Sequence, residues 1–381
     1  MTRTMICLLS AQRMQNLIPF FQTGLRCDRA IFIASAIDGR INPRFAAIFD
    51  DMAAALHGRV ACRLWPEAVE PVHPPQAARV LAQAAGQARS DGPVMINYTG
   101  GTKPMSIGAY LAGQENQLDL IYVDTETEQI VHTRGGETSV CPFDLEPISV
   151  RQVLNVHGRQ VDENWTASHA PHAFSAHLAQ EILLRRPGSF EPVLAVQQAV
   201  SESQKKAPTG KREHIAAEQL YGPDWLLQPL RDSGSLISED GTACLTHEAV
   251  RFLAGGWLEG YVYYALARHG RRMDVIQSLQ VAGVENELDV VCSYNGKLGI
   301  VECKSGDLVG KTQPVLNRLR ALKESLGGTF AKTFLVTSQP LARMSQVFLR
   351  RAREYVAGAV GLEDLARVEE VIFALMSQKS R

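Results

Sequence analysis

A chain of 381 residues exceeds one ordinary core, since domains hold roughly 100 to 200 residues, so two or more domains are expected. A composition 45% hydrophobic and 21% charged excludes collagen-like, low-complexity and wholly disordered chains. Thirty-nine Lys plus Arg against 40 Asp plus Glu leave a net charge of -1, which excludes a protein that coats nucleic acid by bulk charge but allows a local basic face.

The seven cysteines form no C-x-x-C pair, so they signal neither a disulfide framework nor a zinc ribbon and read as reduced thiols of a cytoplasmic protein. The apolar run Met5 to Leu9 is shorter than the core of a signal peptide and leads at once into Gln12 and Arg13, as a first strand does. No apolar run approaches the roughly 20 residues that span a bilayer, and no membrane partner is expected.

In chain order, apolar runs at 5–9, 29–34, 60–64, 94–98 and 118–123 alternate with amphipathic stretches such as 76–89. That alternation predicts a parallel sheet flanked by helices, a Rossmann-like domain over residues 1–150. Residues 151–245 read as a linker and connector. His157, His169, His172 and His177 lie in a segment poor in large apolar residues and lack the i, i+4 spacing and nearby carboxylate of a metal helix, so a surface connection is expected. Short helical patterns then lead to a hairpin over 236–245 that turns at Glu239-Asp240-Gly241, which predicts a small winged-helix-like unit. Its basic run of Lys205, Lys206, Lys211 and Arg212 around Pro208 and Gly210 reads as a solvated loop. Residues 246–381 begin with a long helix through Ala267, followed by strands near 273–281, 287–293 and 298–303 and then alternating helix and strand, a second α/β domain.

Two loops of the first domain are candidates for anion binding. After the run 94–98 comes Thr99-Gly100-Gly101-Thr102-Lys103-Pro104-Met105, which opens a helix rich in small residues. The glycines allow close backbone approach, the threonines bring hydroxyls, and a helix start presents free N–H groups to a phosphate or ribose. The spacing is neither a Walker A loop nor G-x-G-x-x-G. Loops after the carboxyl ends of parallel strands line the ligand crevice, so Ser10, Gln12, Asn16 and Ser35 are expected to face it with the 99–105 loop.

The last domain carries carboxylate chemistry. Asp289 lies in Leu288-Asp289-Val290-Val291, and Ile300-Val301-Glu302-Cys303-Lys304 follows a turn at Asn295-Gly296, as in two neighbouring antiparallel strands. Side chains alternate across a strand, so Glu302 and Lys304 share one face while Val301 and Cys303 share the other. Asp289 and Glu302 suit Mg²⁺ or Mn²⁺ through hard oxygen ligands, and Lys304 is expected to orient the attacking water. Glu259, on an otherwise apolar helix, needs a partner and is expected to complete the metal site or hold Lys304.

The set Glu259, Asp289 and Glu302-x-Lys304, in helix, strand, strand order, resembles the PD-(D/E)xK nuclease superfamily, with Glu-Leu-Asp in place of its proline-aspartate motif. The stretch Asn97 to Met105, joined to the Ser10 to Asn16 loop, resembles the CARF domain, a Rossmann-like sensor of cyclic oligoadenylates. The whole chain is therefore similar to CARF-linked PD-(D/E)xK effector nucleases of type III CRISPR defence. The resemblance implies a homodimer whose sensor domains bind a ring of adenylates, most often cyclic tetra-adenylate. It also implies a nuclease that the ring switches on to cleave DNA, RNA or both with Mn²⁺ or Mg²⁺. Ser10, Gln12, Asn16, Ser35, Asn97, Thr99, Gly100, Gly101, Thr102, Lys103 and Met105 are the ring-binding candidates. The first-strand loop departs from the family at Arg13-Met14. Two other readings of the same residues are a non-catalytic nucleotide-sensing regulator that binds DNA and a ring nuclease that degrades the activator itself.

Charge is distributed as a nuclease requires. From Lys304 to Arg353 ten basic residues stand against Asp307 and Glu324, a local charge of +8, and the helix after Lys311 is expected to leave its basic side chains free to follow a phosphate backbone. From Gln114 to Glu146 eight acids stand against Arg134, a local charge of -7.

Overall fold

A computed structural model of the chain describes residues 1–168, 176–177, 179, 190–206, 214–216, 220, 222–239, 242–306, 308 and 312–378. His169, His172, Pro208, Gly210, Lys211, Arg212, Asp240, Gly241, Asp307 and Lys311 of the sequence analysis lie outside the described residues. Two compact units are present: Met1–Gln160 with Ser293–Lys297 and the C-terminal end from Gln378, and Val161–Cys292 with Leu298–Ser377.

The first unit is built on strands β1 (Thr4–Leu8), β2 (Arg29–Ile33), β5 (Ala61–Leu64), β6 (Val94–Asn97), β7 (Asp119–Asp124), β8 (Gln129–Arg134) and β9 (Glu137–Pro142), with a two-stranded ribbon of β3 (Ala36–Ile37) and β4 (Arg40–Ile41) beside them. The sheet order is β5-β2-β1-β6-β7-β8-β9. The five strands through β7 pair in parallel, and each matches an expected apolar run to within one residue at either end. The central strand β1 is buried at every position, because a parallel strand covered on both faces has no polar side to show. The helix Pro74–Arg89 starts with a proline in its first turn and buries Ala77, Val80, Leu81, Ala84, Ala85 and Ala88, in one core with Ile6, Leu8, Ile96 and Met105.

The antiparallel β8 and β9 were not expected from the sequence. Strand β9 is exposed along its full length, so Glu137-Thr138-Ser139 carries no alternation of apolar and polar residues, and pairing with β8 alone makes it a strand.

In the second unit β10 (His214–Ala216), β11 (Leu236–Glu239) and β12 (Thr242–Leu245) form an antiparallel sheet in the order β10-β12-β11. Its helical partners include Glu191–Lys206 and Asp224–Asp232, the composition expected of a winged-helix-like connector. A five-stranded sheet follows, ordered β13-β14-β15-β16-β17, from β13 (Asp274–Leu279), β14 (Leu288–Tyr294), β15 (Lys297–Lys304), β16 (Ala331–Thr337) and β17 (Gly358–Val360). The turn between β14 and β15 places Asn295 and Gly296 at φ 50° and 73°, the geometry that joins two strands through two residues.

The single long helix expected up to Ala267 is divided. His247–Arg251 leads into a wide turn over Phe252–Gly256, and a new helix runs Trp257–Ala267. Gly255 has φ 166° and ψ -28°, outside the helical region, and a Cβ there would stand 2.7 Å from the Ser305 hydroxyl. Ser305 directly follows Lys304, so the break seats the start of the Glu259 helix against the end of β15.

Candidate functional site

Glu302 sits near the C-terminal end of β15, paired with Leu335 of β16, and is only 2% exposed. A carboxylate buried in a sheet persists only with cationic or hydrogen-bonding partners. Its Oε1 has two: the Lys304 ammonium at 2.7 Å, from the same strand face, and Arg318 Nη1 at 2.9 Å. Asp289 of β14 is buried as well, and its Oδ2 accepts from the Cys303 backbone N–H at 2.7 Å and lies 3.7 Å from Lys304 Nζ. Asp289, Glu302 and Lys304 are thus brought together as the hairpin and the strand alternation predict.

Glu259 lies in the first turn of the helix Trp257–Ala267 and makes no ion pair with Lys304 among the described residues. Its influence is through the field. Burial first, then the charges of Asp289 and Glu287, push its carboxyl up to about 8, against the opposing effect of Arg251 and Lys304. Burial and the neighbouring Glu302 also push Asp289 up to about 6, although Lys304, the Cys303 N–H and Arg318 favour its charge. For Lys304 burial opposes the charge, but Asp289 and Glu302 together outweigh it and raise the pKa. Lys304 is therefore an ammonium at neutral pH, a donor that orients an oxygen and not a base that takes a proton.

Among the described residues no group of three or more His, Cys, Asp or Glu side chains could hold a metal ion. A pair of buried carboxylates suits an ion that accepts one or two protein oxygens and keeps its waters, as Mg²⁺ does. Asp289 and Glu302 meet that requirement, because their oxygens already converge on one cation, the Lys304 ammonium.

A buried polar network that sequence patterning does not reveal supports this end of the sheet. Gln197, in the helix Glu191–Lys206, accepts from the Trp257 indole N–H at 2.8 Å and donates to the Ser305 carbonyl at 2.9 Å and hydroxyl at 3.1 Å. One amide so ties the helix that carries Glu259 to the residue after Lys304. Gln197→Ala is expected to cost about 1–3 kcal/mol, the penalty for stranding buried polar partners. The midpoint of denaturant unfolding checks this, and an unchanged midpoint refutes the network.

In the first unit the candidate residues follow the carboxyl ends of β1, β2 and β6, which are neighbours in the sheet. Asn16 and Asn97 are fully buried, and their amides hold the loops: Asn16 Nδ2 donates to the Leu8 carbonyl at 2.8 Å, and Asn97 Nδ2 donates to the Gln15 carbonyl at 3.0 Å and to Asn16 Oδ1 at 3.3 Å. Thr99 Oγ1 donates to Asn97 Oδ1 at 2.6 Å and accepts from the Val123 N–H at 2.7 Å. A Cβ on Gly100 would stand 2.1 Å from the Leu8 carbonyl oxygen, so only glycine lets this loop lie against β1, and Gly101 has φ 74°. Met105 is fully buried in the core, and Thr102 caps the helix Lys103–Glu115 by accepting from the Met105 N–H. Ser35 is buried beside β3 and bridges to Val69. Gln12 and Lys103 are exposed and Ser10 is partly so, and the Ser10 hydroxyl accepts from the Gln12 N–H. Asn16, Asn97, Thr99, Gly100 and Met105 therefore fix the loops after β1 and β6 from inside, and of the candidates Gln12 and Lys103 are exposed and Ser10 is partly so beside them. Arg13 turns away to Asp51 at 2.6 Å and the Val156 carbonyl at 2.8 Å.

Residues 246–378 match the family model of the Card1-like endonuclease domain. No curated protein matches the chain in sequence. In structure the chain is similar to protein VC1899 from Vibrio cholerae, with a TM-score of 0.72, 18% identity and 98% of each chain covered. It is also similar to Can2 from Sulfobacillus thermosulfidooxidans, solved in complex with cyclic tetra-adenylate, with a TM-score of 0.68 and 20% identity over 98% of this chain and 97% of that one. A type III CRISPR defence DNA nuclease activated by cyclic oligoadenylate matches with a TM-score of 0.54 and 19% identity, over 89% of this chain and 47% of that one. The chain thus shares the overall fold of these structures, and its second α/β domain is the part that matches the Card1-like endonuclease model. No helix among the described residues is long and apolar enough to cross a membrane.

Proposed function

We propose that this protein is a nuclease switched on by a cyclic oligoadenylate, cyclic tetra-adenylate first among the ring sizes, and that it cleaves DNA or RNA with Mn²⁺ or Mg²⁺ in type III CRISPR defence. The observation that carries the reading is the convergence of Asp289, Glu302 and Lys304 within 3.7 Å in a domain of the endonuclease family. In this reading Asp289 and Glu302 hold the divalent ion, which would neutralise charge on the phosphodiester. Lys304, kept protonated by the two carboxylates, donates to the oxygen of the attacking water and aligns it. Hydrolysis forms a bond from that oxygen to phosphorus and breaks the ester bond in line with it, and a proton of the water ends on the leaving oxygen. Glu259, with its carboxyl pushed up by burial and by the charge of Asp289, supports the site from the first turn of its helix.

Activation is assigned to the first unit, where Ser10, Gln12 and Lys103 reach the surface beside loops fixed by Asn16, Asn97 and Thr99. The occupant of the related Can2 structure, cyclic tetra-adenylate, supports that ring as the ligand of these loops. A homodimer belongs to the same reading, and Ile107, Tyr110 and Leu111, exposed on the helix that starts at Lys103, are the apolar surface it would cover. Incubation with each ring size, Mn²⁺ or Mg²⁺, and single-stranded DNA, plasmid or RNA tests the proposal, with cleavage expected only when ring and metal are both present.

A further inference from the structure

The helix Thr312–Leu326 turns Leu316, Leu319, Leu322 and Leu326 into the core. Its basic side chains are not all free, as the sequence pattern suggests. Arg318 lies between the apolar stripe and solvent with its side chain 29% exposed. Nη1 donates to Glu302 Oε1 at 2.9 Å and Nη2 to the Glu287 carbonyl at 2.7 Å, so two hydrogen bonds fix the guanidinium plane. The oxygen it holds is the same Oε1 that Lys304 approaches. Counting charges, two carboxylates, Asp289 and Glu302, face two cations, Lys304 and Arg318. The cluster is thus balanced with no divalent ion present. Adding a dication would leave an excess of about two positive charges, which the negative charge of a phosphodiester group would meet.

From this geometry we infer that Arg318 is a further residue of the nuclease site, with two roles. It competes with the divalent cation for Glu302 Oε1, and once released it contacts a non-bridging oxygen of the scissile phosphate. The inference rests on the metal reading of Asp289 and Glu302. Arg318 thereby keeps the carboxylates paired until metal and substrate are both present, and it lowers the metal affinity of the empty site.

The test uses the full-length protein stripped of metal, with Mn²⁺ as the probe, and follows free Mn²⁺ by electron paramagnetic resonance. Arg318→Met is expected to bind Mn²⁺ about tenfold more tightly, because a positive charge within a few ångströms of the site has gone. Its cleavage rate at saturating Mn²⁺ and activator is expected to fall about 10²-fold, as for loss of a transition-state donor. Arg318→Lys, which keeps the charge without the fork, should fall between the two in both measurements. A merely structural Arg318 would give the opposite sign in the binding assay, since a loosened Glu302 weakens the site. Mn²⁺ binding by Arg318→Met that is equal to or weaker than that of the unaltered protein, or an undiminished rate, overturns the inference. If in addition Asp289→Asn abolishes Mn²⁺ binding, the metal reading stands and only the role of Arg318 falls. If the unaltered protein takes up no more Mn²⁺ than Asp289→Asn, both fall together.

Discussion

Glu302→Gln is expected to lower the cleavage rate about 10³-fold, and Lys304→Ala at least about 10²-fold, with activator affinity unchanged in both. The glutamine keeps the shape of the side chain and an oxygen for Lys304 and Arg318 to approach, so the hairpin of β14 and β15 should retain its register. What it removes is the negative charge, and with it the hard ligand for a divalent ion and the partner that balances two cations on a buried oxygen. Lys304→Ala removes the ammonium shared by both carboxylates, so the attacking water loses its orienting donor. Both variants should bind cyclic tetra-adenylate like the unaltered protein, because the ring-binding candidates belong to the first unit and neither substitution touches it. Single-turnover cleavage beside isothermal titration of the ring separates the two quantities, and cleavage within tenfold of the unaltered rate in both variants would overturn the site.

The second large effect is expected from Lys103. It is exposed as the first residue of the helix Lys103–Glu115, where the positive end of the helix dipole already favours an anion. A charge-assisted hydrogen bond from this ammonium to a phosphate is worth about 1.5–3 kcal/mol. Lys103→Ala should therefore weaken ring binding by roughly ten- to a hundredfold. The concentration of ring that gives half-maximal cleavage should rise by the same factor, while the rate at saturating ring stays unchanged. An unaltered half-maximal concentration would place Lys103 outside the ring site. Thr99→Val should behave differently, because the Thr99 hydroxyl bridges Asn97 and the Val123 N–H inside the loop and its loss affects folding as well as binding.

What was legible in the sequence follows from the range of the forces involved. The parallel strands β1, β2, β5, β6 and β7 are continuous apolar runs, because both faces of the sheet are covered. Glu302 and Lys304 could be placed on one face from the two-residue period alone, and the Asn295-Gly296 turn brought Asp289 beside them. Arg318 was not legible as a site residue. In a run of basic residues on an amphipathic helix it has the pattern of a solvated position, and its partner Glu302 is sixteen residues away on a strand. Gln197 was hidden for the same reason, since its partners Trp257 and Ser305 are 60 and 108 residues distant. Asn16 and Asn97 could be marked as polar residues near strand ends, but only the fold shows that they are buried and bonded to each other. The break falls at Gly255-Gly256, two poor helix formers inside an apolar helical pattern, and its geometry depends on the approach of Ser305.

The central claim, a metal-dependent nuclease under the control of a cyclic oligoadenylate, is tested most directly by one cleavage assay. Labelled single-stranded DNA, plasmid and RNA are each incubated with the full-length protein and Mn²⁺, without activator and with cyclic oligoadenylates of each ring size, and Asp289→Asn is run in parallel. The predicted result is cleavage of at least one substrate that requires the ring, stops when the metal is chelated and is lost in Asp289→Asn. Cleavage that proceeds equally without the ring, or that survives in Asp289→Asn, would contradict the account, as would no cleavage of any substrate with any ring size.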